Sequence, residues 1–172
     1  MAVSMDNAQM VEGCRRRDPK AQRELYDTVA QMSMGICMRY SKGRDEAQDM
    51  LQEGFIKVFE RIGTLRDTEG LMAWVRNIMV NTCIDYHRTR RHWLPMDECI
   101  EPQSDLNTDP FAAEEIVSAI QQLAPMPRTV FNLCEVEGYT QDEVAERLKT
   151  SKISVKVALS RAKEQLRKIL TK

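Results

Sequence analysis

Lys152, Lys156, Ser160, Lys163 and Arg167 follow one another at spacings of three and four residues. At about 3.6 residues per turn these spacings put all five side chains on one helix face. Val155, Ala158, Leu159, Ala162, Leu166, Ile169 and Leu170 share the opposite face. A helix that is apolar on one side and basic on the other rests on a scaffold and presents its cations outward. The chemistry open to such a face is recognition of phosphates and base edges, not bond making. Just upstream, Gly138 reads as a helix C-terminal cap, and Thr140 followed by Glu143 reads as a capping box. A short capped helix over 140–148, a tight turn and a long helix from Ser151 predict a helix-turn-helix. The first turns of the second helix enter the groove in that motif, which places Lys152, Lys156, Ser160 and Arg161 nearest the bases. Lys149, Lys163 and Arg167 fall where phosphates run.

Two other clusters carry polar chemistry. Asp45, Asp49, Gln52, Glu53, Ile56 and Glu60 lie mainly on one face of a helix predicted over 45–62, and Ala47, Leu51, Phe55, Val58, Phe59 and Ile62 form its core stripe. Carboxylates four residues apart suggest a metal site, but this helix has no histidine and no E-x-x-H pair, so no metal is expected. The pattern leaves two readings open: a solvated face, or a polar surface that docks on a protein partner. The second cluster spans 74–93 and ends in a basic, aromatic-flanked run. Arg76, Asn77, Asn81 and Arg88 share its polar side, with Arg90 and Arg91 beyond. Amides and guanidinium groups beside aromatics suit exposed bases. His87 and His92 are read as solvated or phosphate-adjacent.

These clusters need helices to position them. The chain of 172 residues is 30 % charged, 6 % aromatic and poor in Gly and Pro, and no stretch alternates like a strand. The fold class expected is all-α. Helices are predicted over 6–16, 19–40 (from the Asp18-Pro19 start signal), 45–62, 68–91, 109–123 and 127–137, ahead of the helix-turn-helix. The first four form one bundle over 1–93. Residues 94–110, with prolines and acids and no periodicity, form an acidic flexible linker, and 111–172 form a second small helical domain. The net charge of −1 conceals a split: 147–172 carry nine Lys or Arg against one acid, while 97–115 carry seven acids and no base. The local field, not the total, governs encounters with a polyanion. Cys14, Cys37, Cys83, Cys99 and Cys134 are scattered, with no C-x-x-C pair. They are read as thiols of a reducing cytoplasm, and Cys37, Cys83 and Cys134 as small buried hydrophobes. No apolar stretch approaches the ~20 residues of a membrane span. No nucleophile–base pair, Gly-rich phosphate loop or metal spacing points to an enzyme or a cofactor.

Three segments in this order resemble a known family. They are Asp49-Met50-Leu51-Gln52-Glu53-Gly54-Phe55-Ile56-Lys57-Val58-Phe59, then the stretch from Ala73-Trp74-Val75-Arg76-Asn77 to Arg90-Arg91, then the helix-turn-helix with Ser154-Val155-Lys156-Val157-Ala158-Leu159-Ser160-Arg161-Ala162-Lys163. Together they are similar to the extracytoplasmic-function (ECF) sigma factors of bacterial transcription. The first two match that family's region 2. The third, with a divergent L-P-x-x-x-R-x-V-F segment at 123–131, matches its region 4. The resemblance implies that Asp49, Gln52, Glu53 and Phe55 dock on the clamp helices of core RNA polymerase. It implies that Asn77, Asn81 and Arg88, with Arg76, Arg90 and Arg91 beside them, approach the promoter −10 element, and that the 63–70 loop captures a flipped base. Lys156, Ser160 and Arg161, flanked by Lys152 and Lys163, match the −35 reading positions. The linker would thread into the polymerase's RNA exit region, and an anti-sigma factor is an expected partner. Ile153 stands where the family often has glycine.

The residues by themselves also allow a conventional dimeric helix-turn-helix regulator with an N-terminal sensor or dimerisation bundle. That reading needs a ligand pocket or an apolar dimer face in the first half of the chain. The charge split adds one expectation: in the free protein the acidic linker (Asp97, Glu98, Glu101, Asp105) lies against the basic face of the last helix and masks it.

Overall fold

The computed structural model describes residues 6–89 and 112–171. Arg90, Arg91, His92, Cys99, the 94–110 linker and the proposed masking contact lie outside these residues. The described elements are helical, as the composition requires: α1 (Asn7–Arg15), α2 (Pro19–Tyr40), α3 (Arg44–Arg61), α4 (Leu71–Thr89), α5 (Ala112–Gln121), α6 (Pro125–Phe131), α7 (Gln141–Leu148) and α8 (Lys152–Leu170). They form two compact units. One holds the described residues up to Cys37 together with Arg44–Cys83; the other holds Met38–Gly43 and the described residues from Ile84 onward.

Local chemistry sets the helix ends of the first unit. Asp6 caps α1 in a capping box with Gln9, accepting from the Gln9 N–H at 2.7 Å. Pro19 opens α2, where its missing N–H costs nothing, and Asp18 Oδ1 accepts from the Lys20 N–H at 2.9 Å. α4 begins at Leu71, three residues later than expected. Asp67 Oδ1 accepts from the Glu69 N–H at 3.0 Å and Leu71 N–H donates to Thr68 O, so Thr68–Gly70 is a turn before the helix. Val11, Leu25, Val29, Ile36, Met50, Val58, Leu71, Val75 and Met79 are buried in this unit. Cys37 and Cys83 are buried with their sulfurs 4.0 Å apart.

Two glycines mark close approaches. A Cβ on Gly13 would stand 2.4 Å from the Cβ of Ala21, and one on Gly54 would stand 2.3 Å from Met79 Sδ. The obstacles differ. Ala21 Cβ moves only with its backbone, whereas a thioether end can rotate away. Gly13→Ala is therefore expected to destabilise by about 1–3 kcal/mol despite its gain in helix propensity. Gly54→Ala is expected to cost less. Urea midpoints of the two variants check the order.

The second unit contains the C-terminal turn of α2, whose last carbonyls have no partner within the helix. Side chains from elsewhere satisfy them. Gln121 Nε2 donates to Met38 O at 3.0 Å, and Asn132 Nδ2 donates to Arg39 O at 2.9 Å. His87 Nε2 lies 2.7 Å from Tyr40 O, and Arg128 Nη1 donates to the same oxygen at 3.3 Å. A carbonyl can only accept, so Nε2 carries the proton. Arg128 Nη2 also donates to Gln121 O and Leu123 O at 2.8 and 2.6 Å. His87 is 1 % exposed and Arg128 4 %. The expectation that His87 is solvated or phosphate-adjacent is thus corrected; the end of α2 takes it inside.

The 127–137 prediction is also revised. Pro125 rather than Pro127 is the first helical residue, so α6 starts two residues earlier. The helix then widens into a π turn at Asn132–Val136, closed by Glu137 N–H donating to Asn132 O at 2.9 Å. Ala119, Ile120, Leu123, Ala162 and Leu166 form a core cluster between α5 and α8, with Phe131 and Ile169 packed against it. Leu170, assigned to the apolar face, is 52 % exposed at the helix end. Cys14 joins Cys37 and Cys83 as buried, but Cys134 is only half-buried. Burial, and next to it Asp18 for Cys14 or Glu135 for Cys134, raises both thiols above their ordinary value.

Candidate nucleic-acid interface

The turn that aims α8 is built from caps. Gly138 takes φ +81, open to glycine without strain. Thr140 N–H donates to Glu143 Oε2 at 2.8 Å, and Glu143 N–H donates to Thr140 Oγ1 at 3.3 Å: the predicted capping box. α7 ends at Lys149, which adopts the left-handed conformation (φ 53), and Thr150 N–H returns to Ala145 O at 3.0 Å. Ser151 then caps α8 by accepting from the Ser154 N–H at 3.0 Å. The Thr140 N–H, and after it the Thr140 hydroxyl, hold the Glu143 carboxyl below its ordinary value. A depressed carboxyl pKa contributes stability above the unfolded value, and that contribution is lost as pH falls through the folded value. The first turn of α7 is therefore expected to fray on acidification. Glu143→Gln should flatten that response, and amide exchange across Gln141–Leu148 as a function of pH reads it.

The two faces of α8 separate as the spacing requires. Val155, Ala158, Leu159, Ala162 and Leu166 are buried. Lys152, Lys156, Ser160, Arg161, Lys163 and Arg167 are exposed. Lys152 Nζ pairs with Asp142 at 2.8 Å, and Lys163 Nζ with Glu135 at 2.8 Å. Exposed pairs of this kind are worth little, so both lysines can leave them at small cost. Lys156 has no ion pair among the described residues.

On α4, Asn77 and Asn81 are exposed one turn apart in the first unit, and Arg76 beside them is half-buried. Arg88, on the last described turn, is exposed and bonds Asp85 Oδ1 at 2.8 Å. In the 63–70 loop Leu65 is buried, and its carbonyl accepts from the Arg15 guanidinium. On α3, Asp49 and Gln52 are exposed and Glu53 is half-buried. Phe55 is only 6 % exposed; its ring lies 4.5 Å from that of Tyr26 and 6.1 Å from that of Phe59. Two apolar side chains near these surfaces are exposed: Ile56 (58 %), which the spacing had placed on the polar face of α3, and Tyr26 (40 %), which sequence reasoning had not singled out. The signal for Ile56 was its place among carboxylates.

Among the described residues no group of three or more His, Cys, Asp or Glu is placed to hold a metal ion. No described helix is long and apolar enough to cross a membrane.

A capped turn that presents a one-sided basic helix defines a helix-turn-helix protein, here joined to a second helical unit with an acid-faced helix. Sigma-70 region 2 matches residues 25–92, and Sigma-70 region 4 matches 113–166. The RNA polymerase sigma factor SigV of Bacillus subtilis is 30 % identical over 138 residues, covering 80 % of this chain and 83 % of that protein. The RNA polymerase sigma-H factor of Pseudomonas aeruginosa is 25 % identical over 186 residues, covering 99 % and 96 %. The fold is shared with the sigma factor RpoE of Bartonella quintana, solved in complex with the anti-sigma factor NepR: TM-score 0.53, 18 % identity, 87 % of this chain and 96 % of that one. The chain belongs to the sigma-70 family of RNA polymerase sigma factors, in its ECF class. It serves transcription initiation by giving core RNA polymerase its promoters.

Proposed function

We propose that this sigma factor divides its work between three helix faces. Asp49, Gln52 and Glu53 on α3 meet core polymerase, with Phe55 holding that face in place from inside the unit. Arg76, Asn77, Asn81 and Arg88 on α4, continued by Arg90 and Arg91, meet the −10 element. Lys152, Lys156, Ser160, Arg161 and Lys163 on α8 meet the −35 element. The observation that carries this reading is the exposed basic row of α8 opposite its buried apolar row, set behind a doubly capped turn. In the same reading residues 1–93 act as region 2, 94–110 as a tether and 111–172 as region 4. The factor acts in the cytoplasm, makes no bonds itself, and is bound by an anti-sigma factor, as its fold neighbour is found in complex with NepR.

Multi-round transcription with purified bacterial core polymerase and a genomic promoter library tests the reading. Specific transcripts absent with core alone are expected, and their start sites give the −35 and −10 sequences. Absence of transcripts, with the protein alone shifting a palindromic site as a dimer, would replace the proposal with a conventional regulator.

A further inference from the structure

Ile153 is 75 % exposed, more than any other large apolar side chain among the described residues. It is the second residue of α8. Ile153, Lys156, Ser160 and Glu164 follow at spacings of three and four, so they share the outward line of the helix, opposite buried Val155, Ala158, Leu159, Ala162 and Leu166. Lys152 precedes Ile153 and Lys156 follows it along the helix, with Lys163 and Arg167 further along the basic row. An apolar side chain here has no neighbour to cover it, and the surrounding charge selects a polyanion as occupant.

The first turn of a reading helix is the part that enters the major groove. Every base edge there offers donors or acceptors, and one offers an apolar group: the C5-methyl of thymine. A branched alkyl side chain gains contact with that methyl. Against the polar edges of a G·C pair it would displace water without replacing the hydrogen bonds. We propose that Ile153 is a specificity residue that reads a thymine methyl in the −35 element. The inference rests on the reading of α8 as the −35 helix and adds a base preference to it. Lys152 and Lys156 draw the helix to the polyanion by charge; Ile153 adds discrimination by an apolar contact.

The test uses holoenzyme assembled from core polymerase and the full chain, on one promoter it selects. Each thymine of the −35 element, on either strand, is replaced singly by deoxyuridine, which removes the methyl and nothing else. One position is expected at which this weakens wild-type binding about fourfold, the factor for one buried methyl-sized group. Ile153→Ala should weaken binding to the unmodified promoter by a similar factor and make that position indifferent to thymine or deoxyuridine. The side chain is exposed, so the variant keeps its fold.

A loss in Ile153→Ala that is equal on all templates, with the deoxyuridine effect intact, would overturn the proposal. So would unchanged binding on every template, whatever the variant does to a protein partner, or a −35 element with no A·T pair. Lys156→Ala on the same templates separates the two levels of inference. If it weakens all of them while Ile153 shows no coupling, only the methyl reading fails. If it weakens none, the −35 assignment of α8 fails and takes this proposal with it.

Discussion

Replacing Arg128 with leucine is expected to destabilise the second unit by about 3 kcal/mol or more, since a buried polar group left without its partner costs about 1–3 kcal/mol. Arg128 is 4 % exposed, and its guanidinium donates to three carbonyls, those of Tyr40, Gln121 and Leu123. Leucine fills the volume but donates nothing, so three acceptors lose a partner in the interior. Lysine is expected to rescue less than half of the loss. Its ammonium is a single point on a flexible stem, whereas the planar fork of arginine reaches separated acceptors at once. Urea unfolding followed by circular dichroism reads both variants. A loss under about 0.5 kcal/mol, the level of an ordinary surface change, would mean that water replaces the guanidinium at these carbonyls.

The second large effect separates two activities. Asp49→Ala with Glu53→Ala is expected to weaken core polymerase binding about tenfold or more, as loss of central charged contacts does. Binding of the isolated chain to −35 DNA should stay the same, because neither residue belongs to the helix-turn-helix unit. Lys156→Ala should do the reverse. It should lower −35-dependent initiation about tenfold, within the ~1–3 kcal/mol of one base or phosphate contact, and reduce the salt slope by about one. Core affinity should be untouched. Titration of labelled core with each variant, beside promoter binding at several salt concentrations, measures both. Equal loss of core affinity in the two variants would remove the division of labour between α3 and α8.

What the sequence disclosed followed range. The Thr140/Glu143 box bridges three residues, and local pattern was enough to find it. The faces of α8 appeared because one helix carries both rows. The contacts that close the end of α2 did not appear, since they join residues 47 to 93 positions apart. In a linear reading His87 belongs to a basic run, and Arg128 and Asn132 look like polar interruptions of an apolar helix. Only the fold shows that unpaired carbonyls wait beside them. Phe55 is a related case. Its resemblance-based role put it at a partner surface, yet Tyr26, from the preceding helix, helps cover its ring. Ile153 was legible as a departure, and its exposure gave that departure a meaning.

The π turn at Asn132–Val136 bears on how such chains vary in length. A turn closed five residues back instead of four holds one residue more than the α-helix that leads into it. That residue is taken up within the turn at the end of α6, and no helix runs on from it whose phase an added or lost residue would reset. Removing it would tighten the turn to ordinary pitch without sliding one flank past the other, whereas the same deletion inside α8 would rotate every later side chain by about 100°. A one-residue gap is therefore absorbed at this point of the chain and nowhere along the reading helix.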